Sequence, residues 1–282
     1  MTDHFLKIWL NATAQHKGSA WESVEHGWEQ HVLVDHTNNI VYRYPRNQNA
    51  SNKLADEVSV LSALNQVRFN VAIPRILEHK KAKTSYEYIP GDIISEDKTR
   101  SLTNDQAEKI GQDLGEFLAI LHSVNPVVAN SKKTKQSISL YDYYLDRIEN
   151  AKDEPFYEHV INLAKKIKPQ KPYVVMHGDL HGLNMIIDPL TNRLTGVIDF
   201  SELELGDRHQ DFRKIFMTDE RFIDPALKVY KKLSGYELSK TQITAWAYIN
   251  EWANIAFYKD KTSHPTYRRA LKHLKSWGEI SD

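Results

Sequence analysis

The period of the apolar positions changes along the chain, and the change falls near Gly91. Over the first ninety residues the signal is mainly that of strands. Trp28–Asp35 and Asn39–Tyr44 are rich in Val, Ile and Tyr, and His36-Thr37-Asn38-Asn39 between them has the residue types of a hairpin turn. Leu54, Val58, Leu61 and Leu64 recur at spacings of three and four, which predicts a helix from Asn52 to Gln66. Pro74 closes the connection, and Thr84–Ile89 forms a further strand stopped by Pro90-Gly91. Ahead of all this, Phe5, Ile8, Trp9 and Ala12 have the spacing of a short amphipathic helix.

Beyond Gly91 the period becomes helical. Thr103 and Gln106 have the spacing of a capping box, and Ile110, Leu114, Phe117, Leu118 and Leu121 form one apolar face running to His122. Helical patterns recur near 140–167, 208–216, 222–234 and 240–258, with one β-rich island from Tyr173 to Phe200. The expectation is an α+β protein with a small β-rich N-lobe over 1–90 and a larger, mainly helical C-lobe over 91–282. No Pro/Gly/Ser-rich stretch separates the two, so Gly91 marks a hinge and not a linker.

Composition narrows the classes. The chain has 282 residues, of which 41% are hydrophobic and 26% charged, enough to build a core without staples. Lys+Arg and Asp+Glu are both 37, so bulk positive charge for nucleic-acid binding is missing. No cysteine is present, which excludes disulfides and thiolate metal sites and suits a reducing cytoplasm. Lys7 and Asn11 interrupt the apolar N-terminal stretch, against a signal peptide, and no run of eighteen apolar residues predicts a membrane span. A monomer or weak dimer acting on a small molecule is expected.

The chemistry concentrates in the island. An apolar strand, Val174-Val175-Met176, delivers His177-Gly178-Asp179-Leu180-His181-Gly182-Leu183-Asn184 into a loop. A second apolar strand opens at Asn184, and a third, Leu194–Ile198, ends at Asp199. Phosphoryl transfer needs a carboxylate to accept the proton of the attacking hydroxyl, and Asp179 is placed to be that base. It also needs hard oxygen ligands for magnesium, which the Asn184 amide and the Asp199 carboxylate supply from strand ends. His177 and His181 lie four apart, a zinc-like spacing. The neighbouring glycines and β-branched residues oppose the helix on which such pairs sit.

These residues resemble the aminoglycoside phosphotransferase family, which also contains macrolide, choline and homoserine kinases. HGDLHGLN (177–184), IDF (198–200) and GDRHQD (206–211) carry the resemblance, supported by LGEFLAILHS (114–123), and it extends from about residue 20 to the end. It implies a bilobal, protein-kinase-like fold with ATP or GTP in the cleft. By the same resemblance His177 supports the catalytic loop and Asp211 braces it from the following helix. A basic residue on an N-lobe strand, paired with a helical glutamate, is implied to grip the α- and β-phosphates. Arg43 stands where the usual lysine is expected, in an R-x-P-R run like that of macrolide kinases, and Glu57 is its partner. Gly27 is the single glycine of the phosphate-loop segment 24–30, and the Glu87 carbonyl and Ile89 amide fall in the hinge that holds the base.

The acceptor is less defined. A polycationic aminoglycoside needs converging carboxylates, for which Glu202, Glu204, Asp207, Glu251 and Asp260 are candidates. A macrolide needs apolar walls, for which Trp246, Trp252, Phe257 and Tyr258 are candidates. Three functions stay open: an antibiotic kinase, a metabolite kinase acting on choline, homoserine or a sugar, and a nucleotide-binding pseudokinase. A protein kinase proper is disfavoured, because the stretch after Asp199 leaves no room for a long activation segment.

Overall fold

A computed structural model describes residues 8–10, 12–14, 18–24, 29–80, 83–126 and 139–279. Phe5, Gly27 and Trp28 lie outside the described residues. The N-terminal part is a five-stranded antiparallel sheet in the order β1-β2-β3-β5-β4. Its strands are β1 (Trp21–Val24), β2 (Gln30–Asp35), β3 (Ile40–Pro45), β4 (Ile76–Lys80) and β5 (Lys83–Glu87). The expected hairpin joins β2 to β3. Asp35 accepts from the Asn38 amide at 3.1 Å, and Asn39 takes a left-handed conformation that its short polar side chain tolerates. Helix α1 (Gln48–Leu64) starts earlier than its apolar spacing suggests, because the Asn47 side chain caps the Ala50 amide. Its buried face is Leu54, Leu61 and Leu64, with Glu57 set among them.

From β6 (Asp92–Ile93) onward the chain is mainly helical, and the whole is the expected α+β fold. Helix α2 (Glu96–Ser101) precedes α3 (Asn104–Ser123), whose Thr103–Gln106 capping box is formed as the sequence predicts. The island becomes two small sheets. β7 (Val174–Met176) pairs with β10 (Glu204–Gly206), and β8 (Met185–Ile187) lies between β6 and β9 (Leu194–Val197). Helices α6 (His209–Thr218), α7 (Ile223–Ser234), α8 (Lys240–Phe257) and α9 (Pro265–Ser276) complete the lobe. No helix among the described residues is long and apolar enough to cross a membrane.

Two expectations need correction. The helical pattern over 140–167 is two helices, α4 (Ser139–Glu149) and α5 (Tyr157–Ala164). Pro155 lies between them and pushes the preceding residue away from the helical region. Strands β1 and β4 were not expected. Both are edge strands whose exposed positions break the apolar alternation.

One apolar cluster joins the two parts, from Leu54, Leu61 and Tyr86 through Leu114 and Phe117 to Val197, Phe200 and Phe212. One close seam in it lies between α3 and α7. Gly111 and Gly115, one turn apart, bring the α3 backbone against the carbonyls of Phe222 and Ala226. A Cβ at Gly115 would run into the Ala226 carbonyl oxygen. This seam seats His122 of α3 beside Tyr230 of α7, at the floor of the site described below. Gly115→Ala is therefore expected to lower stability by roughly 1–3 kcal/mol, the usual cost of overpacking. Urea unfolding reads this as a lower midpoint at constant slope, and an unchanged midpoint would mean that the helices separate freely.

Candidate active site

The three residues of β7 are fully enclosed, which fixes where the following loop begins. His177 is buried at its end. Its Nε2 donates to the Ile198 carbonyl at 3.1 Å, its Nδ1 accepts from the Asp179 amide at 3.3 Å, and its ring lies 4.7 Å from that of Phe200. Burial lowers its pKa, so the neutral imidazole acts as a spacer between the loop and the strand that ends at Asp199. Gly178 follows with φ +83°, and a Cβ there would strike the Glu202 carbonyl, so no other residue fits. The turn brings Asp179 to the surface of the cleft with about a third of its side chain, 32%, open.

The rest of the loop closes on itself. The Asn184 side-chain amide donates to the Asp179 carbonyl at 2.9 Å, and the Ile198 amide donates to the Asn184 carbonyl at 3.0 Å. Asp199 comes next in a left-handed conformation, φ 64°, rare for a residue with a Cβ and characteristic of strained functional positions. Asp179, Asn184 and Asp199 are thus tied together by hydrogen bonds of the two strand ends.

Helix α6 braces this loop from below. Asp211 is fully buried, and its two carboxylate oxygens accept the amides of His177 and Gly178, each at 2.9 Å. His122 Nε2 meets the same carboxylate at 3.1 Å, and its Nδ1 pairs with the Tyr230 hydroxyl at 2.9 Å. Burial opposes the Asp211 charge, but the hydrogen bond and charge of His122, with the loop amides, hold its pKa below the ordinary value. Two turns on, Thr218 Oγ1 accepts the Gly182 amide at 3.0 Å. Between them Lys214 Nζ lies 3.0 Å from Asp179 Oδ1. Burial works against the Asp179 carboxylate as well. Lys214 and His181, whose Nε2 is 3.4 Å from Oδ2, overcome it and hold the group well below the ordinary carboxylate range.

The opposite wall comes from the N-terminal sheet. Arg43 on β3 donates from one terminal nitrogen, Nη1, to both oxygens of Glu57 on α1, at 2.8 and 2.9 Å. Its second terminal nitrogen reaches Asp199 Oδ1 at 3.3 Å, and its Nε donates to Gln30. Glu57 also accepts the Phe200 amide at 3.2 Å. Burial pushes the Glu57 carboxyl up, to about 7, against the pull of Arg43. The basic strand residue and helical glutamate therefore meet, and they meet at Asp199.

The remaining sequence candidates separate. Glu87 is exposed and Ile89 half-buried on either side of Tyr88, at the junction between β5 and β6, and Ile89 packs on Gly196. Glu202 lies at the cleft, where it pairs with Lys53 of α1 at 3.1 Å; Lys53 also holds Glu29 at 2.6 Å. Glu204 sits half-buried in β10, and Asp260 is exposed beyond α8. Glu251 corrects the expectation of an open substrate carboxylate. It is fully buried, bonded to His273 Nδ1 at 2.6 Å and to Asn254 at 2.8 Å, because a charge that deep in α8 requires partners. Asp207 is likewise buried, against His209 at 2.8 Å. Of the aromatic candidates, Trp246 and Trp252 are core residues, whereas Phe257 is about half exposed. Sequence reasoning missed Gln30, Lys53, His122, Lys214 and Thr218.

A β-rich lobe whose arginine–glutamate pair faces a catalytic loop of the form H-x-D-x-x-x-x-N, followed by a strand-end aspartate, defines a protein-kinase-like phosphotransferase. Comparison with known proteins agrees. The profile of the phosphotransferase enzyme family matches residues 20–247, and the chain belongs to that family. It is 23% identical over 227 residues to an aminoglycoside 3'-phosphotransferase of Streptomyces fradiae, covering 73% of this chain and 81% of the relative. Among solved structures, the GDP complex of aminoglycoside 2'-phosphotransferase-IIIa superposes with a TM-score of 0.77 at 17% identity, over 98% of this chain and 99% of that one. Macrolide 2'-phosphotransferase MphH from Brachybacterium faecium gives 0.71 at 18% identity, over 98% and 99% of the two chains.

Two outcomes follow from the charge network. Asp211→Asn is expected to cost roughly 1.5–3 kcal/mol at neutral pH, the worth of hydrogen bonds to a charged group. The folded pKa of Asp211 lies below the ordinary 3.8, so its contribution is present above that value and is lost as pH falls through the folded value. Unfolding curves of wild type and variant should therefore converge at acid pH, and a constant gap would contradict this. Arg43→Met leaves Glu57 buried without its cation and should cost roughly 3–5 kcal/mol. A double-mutant cycle with Glu57→Gln should show coupling, and additive losses would remove the pair from the account.

Proposed function

We propose that this protein transfers the γ-phosphate of ATP or GTP, with magnesium, to a hydroxyl group of a small molecule, and that the acceptor is an antibiotic of the aminoglycoside type. The observation that carries the reading is the convergence of Asp179, Asn184 and Asp199 opposite the Arg43–Glu57 pair. The aminoglycoside phosphotransferases among its relatives, and the solved relatives holding GDP or ATP, support the nucleotide and the acceptor class.

The residues fit a magnesium site by donor chemistry. Asn184 spends its amide nitrogen on the Asp179 carbonyl, which leaves its side-chain oxygen as a ligand, and Asp199 keeps 38% of its side chain open. Two hard oxygen donors, completed by phosphate and water, suit magnesium. When bound there, the ion neutralises phosphate charge. Arg43, oriented by Glu57, contacts the phosphates from the N-terminal sheet. Asp179 orients the acceptor hydroxyl and takes its proton while the hydroxyl oxygen bonds to the γ-phosphorus and the bond to the bridging oxygen breaks. Lys53 and Glu202 link α1 to the segment after Asp199 and keep the two walls in register.

A second acceptor class has its own support. Of the acidic candidates, Glu251 and Asp207 are enclosed and Glu202 is engaged by Lys53. Meanwhile the Arg147 guanidinium lies 4.2 Å from the ring centroids of both Tyr143 and Phe257, each about half exposed. An apolar or uncharged acceptor, such as a macrolide or a metabolite alcohol, suits such a surface better than a polycation does. Coupled turnover with ATP and GTP against aminoglycosides, macrolides, choline and homoserine distinguishes these readings. Magnesium-dependent nucleotide binding without turnover on any acceptor would favour a pseudokinase. With the accepted substrate, Asp179→Asn should lower kcat by about 10²–10⁴-fold, the usual worth of a general base, with little change in nucleotide affinity. A variant retaining near-native kcat would remove Asp179 from the role of base.

A further inference from the structure

Lys214 is the one cation of α6 that touches the catalytic loop, and nothing in the loop's architecture requires it there. Asp211 already fixes the His177 and Gly178 amides, Thr218 fixes the Gly182 amide, and Asn184 fixes the Asp179 carbonyl. Asp211, Lys214 and Thr218 recur at i, i+3 and i+7, so all three project from one face of α6 toward the loop. The first and last make backbone contacts. Only Lys214 reaches a side chain of the loop, at the carboxylate oxygen where an acceptor hydroxyl must bind. Its own side chain is 16% exposed, so most of it is packed, with the ammonium held at Asp179.

The reach is favourable. An acceptor oxygen held by Asp179 sits about 2.6–3.2 Å from the carboxylate. The phosphorus it attacks lies roughly 3–3.5 Å beyond that oxygen. A lysine ammonium sharing the carboxylate is therefore one side-chain rotation from the oxygens of the phosphoryl group. The cation of the opposite wall, Arg43, is held by Glu57 on the Asp199 side of the site and makes no contact with Asp179. The groups facing the Asp179 side chain are Lys214 from α6 and His181 from the loop itself, with the Asp199 carboxylate and the neutral His177 ring further off.

We propose that Lys214 is a catalytic residue: with an acceptor bound at Asp179, its ammonium hydrogen-bonds a non-bridging oxygen of the transferring phosphoryl group. In the step it serves, the bond from the acceptor oxygen to the γ-phosphorus forms and the bond to the β–γ bridging oxygen breaks. The bond's electron pair leaves with the nucleoside diphosphate, and the acceptor proton passes to Asp179. Lys214 remains protonated throughout and stabilises charge on the phosphoryl oxygens. This role rests on the phosphotransferase function proposed above.

The test compares wild type with Lys214→Met and Lys214→Arg on the acceptor that supports turnover. Lys214→Met should lower kcat by about 10²–10³-fold, as loss of one transition-state donor does, while acceptor KM changes by no more than about threefold. Lys214→Arg, which keeps the charge, should recover about tenfold or more of that loss. Calorimetry supplies a reading independent of turnover. The affinity of ADP or GDP with aluminium fluoride, a mimic of the phosphoryl group in flight, should weaken by about tenfold or more in Lys214→Met, and that of the diphosphate alone should not. A kcat within about threefold of wild type would overturn the proposal, as would a loss confined to acceptor KM or equal weakening of both nucleotide forms. A wild type that transfers phosphate to nothing would overturn the proposed function and this role together; an active wild type with an unaffected Lys214→Met would overturn this role alone.

Discussion

The carboxylate of Asp211 carries the architecture of the site. It is buried at the start of α6, and it takes the two amides that turn β7 into the loop carrying Asp179. A buried carboxylate is costly unless it is hydrogen-bonded, and here His122 adds a third contact to the two amides. His122 is in turn positioned by Tyr230 across the glycine seam between α3 and α7. The chain of dependence runs from two small residues on α3, through a histidine and an aspartate, to the backbone that presents Asp179. Little of it touches solvent, so the loop geometry is set by packing before any ligand binds.

The second constraint is charge. Asp179 and Asp199 are neighbouring carboxylates in a partly closed cleft, and each is held ionised by a cation from a different element. Lys214 of α6 serves Asp179, and Arg43 of β3 serves Asp199. Arg43 is fixed by Glu57, so the N-terminal sheet, α1 and the segment after β9 share one ion-pair network. Arginine suits this place because its fork grips the glutamate with one nitrogen while another reaches the aspartate. An ammonium at the same position has neither the length nor the planarity to make the same contacts.

What was legible in the sequence was whatever is encoded locally. His177, Asp179, Asn184 and Asp199 fall within one short island, where turn glycines and apolar strands give the spacing a direct structural meaning. The capping box of α3 and the apolar face behind it are local in the same sense. Arg43 and Glu57 are distant in sequence, and only the family resemblance paired them. His122 and Asp211 meet across 89 residues, and Lys214 depends on how α6 lies under the loop. No spacing rule supplies that. Two of the acidic residues proposed for the acceptor, Glu251 and Asp207, are instead enclosed. Glu251 lies on a helix buried on most sides, and sequence alone does not tell a solvated carboxylate from one sealed against a histidine.

In the proposed reaction the fold holds Asp179 as a base for one direct, in-line transfer. The stereochemistry at phosphorus tests it most directly, using a nucleotide made chiral at the γ-phosphate and the acceptor that supports turnover. A single displacement by the acceptor oxygen predicts inversion of configuration. Retention would mean two successive displacements through a phosphorylated side chain, and would contradict the role assigned to Asp179.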